Sequence, residues 1–166
     1  MQVLQEPDVA DVFNELVADE IPNRLGLDAW ASLLQAHATL LRQLETDLEQ
    51  ETGLALADFD VLAQLAIAGG QLRMTDLAAR ALISRSGMTR RVARLVDEGL
   101  VRRANTDADA RGVVVMLTDA GVARLTETAP VHARGISKLF VSRLADEELA
   151  VLRAALDKVT VDCTFG

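Results

Sequence analysis

Apolar residues recur along most of this chain at steps of three and four, the spacing that lines one face of an α-helix. Between residues 8 and 20, Val9, Val12, Phe13, Leu16 and Val17 keep that spacing behind Asp8, a capping residue that follows Pro7. Pro22 predicts the end of this helix, and residues 23–26 a short link. A long helix is expected over residues 28–51, where Trp30, Leu34, His37, Leu41, Leu44 and Leu48 alternate steps of four and three. Such a heptad seam, widened by Leu33 and Leu40, needs a partner surface within the chain or on a second copy. Gly53 ends it.

The pattern then shortens. Residues 57–68 predict a buried helix through Phe59, Leu62, Leu65 and Ala66, closed by Gly69-Gly70, with a small strand at Gln71–Arg73. Thr75-Asp76-Leu77-Ala78-Ala79 opens a third helix, and the run Ile83 to Gly87 breaks the chain before a fourth that reaches Glu98. Gly99 stands where a left-handed cap belongs. Residues 101–106 and 113–117 read as the arms of a β-hairpin, joined by the tip NTDADARG at residues 105–112. Thr118-Asp119 caps a long helix towards Leu144, kinked by Pro130. Asp146, Glu147 and Glu148 fit the first turn of a last helix, whose buried stripe is Leu149, Leu152, Leu156 and Val159.

Composition narrows the class. The chain has 166 residues, room for one domain with appended helices, and its apolar half is mostly Leu, Val and Ala, with no Tyr. No apolar run is long enough to cross a membrane, and the acidic N-terminus lacks a secretory pattern. The lone Cys163 has no partner for an internal disulfide, so a soluble, cytoplasmic protein is expected. Charge is unevenly placed. The total is −8, yet residues 70–112 hold nine Arg against five acids. That basic centre is either a solvated helix face or the footprint of a polyanion.

The order of elements favours the second reading. Two helices in tight succession followed by a basic hairpin form a winged helix-turn-helix, whose second helix enters the DNA major groove. On a helical wheel, Met88, Val92, Leu95 and Gly99 share the side that must pack on the domain. Ser86, Arg90, Ala93, Asp97 and, at the edge, Arg94 share the other, with Thr89 flanking. Arg pairs with guanine through two bonds, and hydroxyls reach bases or phosphates. At the hairpin tip small residues permit entry to the minor groove, where Arg111 meets concentrated negative potential. Asp109 either orients that guanidinium or simply forms the turn. Thr75, which opens the third helix, and Arg85, in the break before the fourth, complete the candidate DNA-binding set of Thr75, Arg85, Ser86, Thr89, Arg90, Arg94, Asp109 and Arg111.

These motifs resemble the MarR family of bacterial transcriptional regulators. The likeness rests on Leu77-Ala78, Met88-Thr89-Arg90, Arg94-Leu95, Glu98-Gly99-Leu100-Val101, Asp109-x-Arg111 and Leu117-Thr118-x-x-Gly121, and extends from about Trp30 to Val159. It implies a mostly α fold with a small β-hairpin (α+β): a winged helix-turn-helix with flanking long dimerisation helices. The implied division is an N-terminal helical extension (1–27), dimerisation helices (28–52 and 118–162) and a DNA-binding lobe (53–117). It also implies a triangular homodimer acting on double-stranded DNA at a pseudo-palindromic operator, as a repressor. A small aromatic or anionic effector is implied in a pocket near Trp30, His37 and His132, although His37 on an apolar seam equally suits a satisfied interface residue. Two departures stand out: Gly112 replaces a second basic residue that many relatives carry after the wing Arg, and the stretch before Asp28 is longer than usual.

An enzyme is not expected. Two separated histidines and one terminal cysteine give no nucleophile–base pair, no phosphate-binding glycine loop is present, and no cofactor or metal site has ligand spacing. The competing reading is a winged helix that contacts only protein, without sequence-specific DNA binding.

Overall fold

Asn23 starts the first long helix. Its side-chain oxygen accepts a hydrogen bond from the Leu25 N–H at 2.9 Å, satisfying one of the free donors at a helix start. In this computed structural model α1 accordingly spans Arg24–Thr52, beginning earlier than the expected residue 28. Residues 23–26 are therefore the cap and first turn of the helix and not a link. The structure describes residues 12, 15–18, 20, 21, 23–81, 84–105 and 112–161. Position 12 and residues 15–17 are helical and residues 18 and 20 lie in turns; residues 8–11, 13, 14 and 19 of the expected N-terminal helix lie outside the described residues. By contacts the chain divides into two units, residues 1–41 and 42–166. The boundary falls inside α1. In the first unit Trp30, Leu33, Leu34 and Leu41 of the seam are exposed; in the second, Leu44 and Leu48 are buried.

The second unit continues with α2 (Leu56–Ile67), β1 (Gln71–Arg73), α3 (Met74–Arg80), α4 (Arg85–Asp97), β2 (Val101–Asn105), β3 (Val113–Leu117), α5 (Asp119–Leu139) and α6 (Asp146–Thr160), with a 3-10 turn at Val141–Arg143. The strands form an antiparallel sheet in the order β1-β3-β2. β3 is central, pairing Leu72 with Val115 on one side and Arg103 with Val115 on the other. One apolar cluster holds this unit together: Leu48 from α1, Val61, Leu62 and Leu65 from α2, Leu77 from α3, Met88, Val92 and Leu95 from α4, and Val101 and Val115 from the sheet. Each such side chain contributes roughly 1.5–3 kcal/mol relative to exposure.

The elements end where backbone chemistry requires. Gly53 and Gly99 carry φ of 70° and 73°, left-handed values that cost other residues energy. The Thr118 hydroxyl accepts from the Gly121 N–H at 3.0 Å and caps α5. Pro130 lies within α5 without ending it. The helix stops at Leu139, before the expected residue 144, because Phe140 (φ −129°) leaves helical geometry. The Glu148 carboxylate accepts from the Ala145 N–H at 2.8 Å and opens α6.

Candidate nucleic-acid interface

Ser84 sets the start of α4. Its hydroxyl accepts from the Gly87 N–H at 3.2 Å, so the helix begins at Arg85, and Ser86 and Gly87 lie in its first turn and not in a break before it. From there the helical period divides the side chains. Met88, Val92 and Leu95 are fully buried. Ser86, Thr89, Arg90 and Asp97 are exposed and Ala93 is half-buried. The exposed face thus carries hydroxyls, a guanidinium, a small side chain and, at its last position, the Asp97 carboxylate, on a helix whose opposite face is fixed in the core. Those are the groups that suit the edges of base pairs.

The two borders of that face are pinned. On one, Arg91 Nη1 donates to Asp58 Oδ1 at 2.8 Å, and Arg94 Nη2 donates to Asp58 Oδ2. Asp58 sits in the first turn of α2 with only 4% of its surface exposed. Arg94 also lies 3.9 Å from Glu98 through its Nε. On the other border Arg103 of β2 donates through Nη2 to the Thr89 carbonyl oxygen at 3.1 Å. Sequence reading placed Arg94 among the DNA contacts; here its guanidinium is engaged by Asp58. Asp58 and Arg103 were not anticipated. Strand alternation from buried Val101 could have placed Arg103 on the helix side of β2, whereas nothing local marks Asp58.

Arg73, Met74, Thr75, Thr89, Arg103 and Val113 line a cavity of about 330 Å³ at the base of the hairpin. It joins α3, α4 and the wing, and brings together expected Thr75 and Thr89 with two arginines. Arg103 reaches this opening with one guanidinium nitrogen committed to the Thr89 carbonyl, and the Thr75 hydroxyl donates to the Asp76 carboxylate at 3.3 Å. The side chain of Arg85, and Asp109 and Arg111 at the hairpin tip, lie outside the described residues.

The three residues expected to line an effector pocket are differently placed. Trp30 and His37 are exposed on the part of α1 within the first unit. His132 belongs to α5 in the second, half-buried against Phe59 with ring centroids 4.6 Å apart. Burial lowers its pKa, with Asp60 acting weakly in the other direction. Its Nδ1 is buried without a hydrogen-bond partner among the described residues. Among those residues no group of three or more His, Cys, Asp or Glu is placed to hold a metal, and no helix is long and apolar enough to cross a membrane.

Comparison with known proteins places this arrangement among regulators. Residues 52–112 match the profile of the MarR family. The structure superimposes on AbsC, a MarR family transcriptional regulator from Streptomyces coelicolor, with a TM-score of 0.77 and 32% identity, covering 83% of this chain and 93% of that one. Sco3205, a MarR family regulator from the same organism solved in complex with DNA, gives a TM-score of 0.77 at 32% identity over 83% of this chain and 90% of its own. The HTH-type transcriptional regulator PecS of Dickeya dadantii (strain 3937) is 31% identical over 108 residues, 64% of each chain, so a little under two thirds of its length is matched.

Proposed function

This chain belongs to the MarR family of transcriptional regulators, and from that premise we propose that it is a cytoplasmic homodimeric repressor that binds a pseudo-palindromic DNA operator. The observation that carries the proposal is the two-faced α4, with its apolar side sealed in the core and Ser86, Thr89 and Arg90 presented outward beside an opening lined by Arg73 and Arg103. In this reading Arg90 contacts a base edge, with Ser86 and Thr89 at base edges or neighbouring phosphates. Thr75 and Arg85 reach phosphates at the helix starts. Arg111 enters the minor groove, supported by Asp109. A small aromatic or anionic effector acts by releasing the DNA. The cavity lined by Arg73 and Arg103 lies at the reading surface, where an occupant would compete with the duplex.

Selection of random duplex fragments by the purified protein tests the function. The expected product is an inverted repeat whose half-sites lie about one helical turn apart, roughly 10 base pairs. Binding should weaken steeply with salt, as neutralisation of phosphates requires. A salt-insensitive association with no recovered sequence would favour the protein-contact reading instead. Arg90→Ala should cost about 1–3 kcal/mol on the selected operator and relax preference at one base pair. An equal loss on every duplex would remove Arg90 from base reading.

A further inference from the structure

A recognition helix has to be fixed in rotation as well as in position. With about 100° per residue, a roll of α4 by a small part of a turn would carry Arg90 off a base edge. Its core contacts, through the apolar side chains of Met88, Val92 and Leu95, choose which face is buried. Directional polar contacts with fixed partners at the borders of that face add resistance to rolling. This structure has such contacts at both borders. Arg103 holds the Thr89 carbonyl at 3.1 Å on one side. On the other, Arg91 and Arg94 lie one turn apart, and each takes a different oxygen of Asp58.

We propose that Asp58 is a positioning residue for DNA reading: its buried carboxylate fixes the roll of α4 and keeps the guanidiniums of Arg91 and Arg94 from indiscriminate contact with phosphates. The inference rests on the DNA-binding reading given above. Asp58 is itself held to the scaffold, since its neighbour Phe59 packs on His132 of α5. A buried ion pair contributes little net stability, because loss of hydration offsets most of its attraction. Orientation is the property that two separate guanidiniums on one carboxylate do supply. The pairing also changes what the basic centre offers DNA. Arg91 is largely covered, and Arg94, although half exposed, is committed to two acids. Of the arginines on this helix with described side chains, Arg90 therefore carries the reading.

The test uses the full chain, the operator recovered by selection, and a scrambled duplex of equal length, with affinities measured over a range of salt well below the melting temperature. In Asp58→Asn the operator-to-scrambled affinity ratio should fall about 3- to 30-fold, the range by which residues that act through others alter a coupled site. Binding to the scrambled duplex should become more salt-dependent, by about 0.9 in log–log slope for each arginine released to a phosphate. A second variant, Arg94→Met, leaves Asp58 paired with Arg91 and carries the test if Asp58→Asn does not fold. It should lower the ratio and leave the scrambled slope unchanged. Were Arg94 a phosphate contact, affinity would drop equally on both duplexes and the slope would shrink by about 0.9; that result overturns the proposal, as does a ratio unchanged in either folded variant. A wild-type protein indifferent to sequence would bring down the regulatory reading, and this inference with it, while a wild-type preference that the variants keep would overturn the inference alone.

Discussion

His132 should make the fold acid-sensitive. Its imidazole is buried against Phe59, and loss of hydration holds its pKa below the ordinary 6.5 despite the opposing charge of Asp60. As pH falls below 6.5 the unfolded chain takes up a proton that the folded chain still refuses. The stability that neutral His132 contributes is therefore complete above that value and is lost between it and the lowered folded value. The melting temperature of the wild type should consequently drop more between about pH 7.5 and about pH 5.5 than that of His132→Gln, in which this linkage is removed. Equal drops would mean that His132 does not titrate differently in the two states. Such single residues show where sequence reading stops. The outward set Ser86, Thr89 and Arg90 follows from helical period alone, because the period decides which side is buried. Asp58 does not, because its partners lie 33 and 36 residues away and only the packed chain brings the three together. A lone acid in the first turn of a helix reads as a favourable dipole contact whether or not it is buried.

At the scale of elements, the junction between the winged helix-turn-helix and α5 is built from backbone. The Thr118 hydroxyl donates to the Gly99 carbonyl at 2.7 Å, lies 3.0 Å from that of Leu100 and accepts from Gly121. A Cβ on Gly121 would stand 2.0 Å from the Leu100 carbonyl oxygen. Both sides of that contact are backbone, so turning a side chain cannot relieve it. Gly121→Ala should therefore destabilise the protein by about 1–3 kcal/mol, the cost of forcing atoms into a filled site. The check is a lower denaturant midpoint with an unchanged slope, and an unshifted midpoint would show that the two backbones separate easily. The Leu117-Thr118-x-x-Gly121 motif was legible in the sequence; the reason it needs glycine was not. Caps set by one residue, at Gly53, Gly99 and Thr118, were read correctly. The starts of α1 and α4 were displaced because Gly26 and Gly87 resemble helix breaks. In both helices a side-chain oxygen at Asn23 or Ser84 had already begun the helix, and its first turn tolerates glycine.

For the whole molecule, the unpaired part of the α1 seam determines the expected assembly. The heptad pattern continues without interruption from Trp30 to Leu48, yet Leu44 and Leu48 are covered by the chain itself while Trp30, Leu34 and Leu41 remain 56%, 49% and 42% exposed. Val151 and Val159 of α6 are likewise uncovered. Apolar surface repeated at coiled-coil spacing is disfavoured in water and suits a second copy of the same helix. Two copies would also present two α4 helices to one DNA, so the second half-site is met at high effective concentration once the first is bound. Leu34→Lys places a charge in the seam and changes no residue of the winged helix-turn-helix. Sedimentation should show the wild type as a dimer and this variant shifted towards monomer. Operator affinity should fall about 10²- to 10⁴-fold with dimerisation lost, while the weak affinity for an isolated half-site stays as in the wild type. If the variant still sediments as a dimer, the exposed seam is not what joins the subunits. If it is monomeric and binds the full operator undiminished, the two reading helices do not act together.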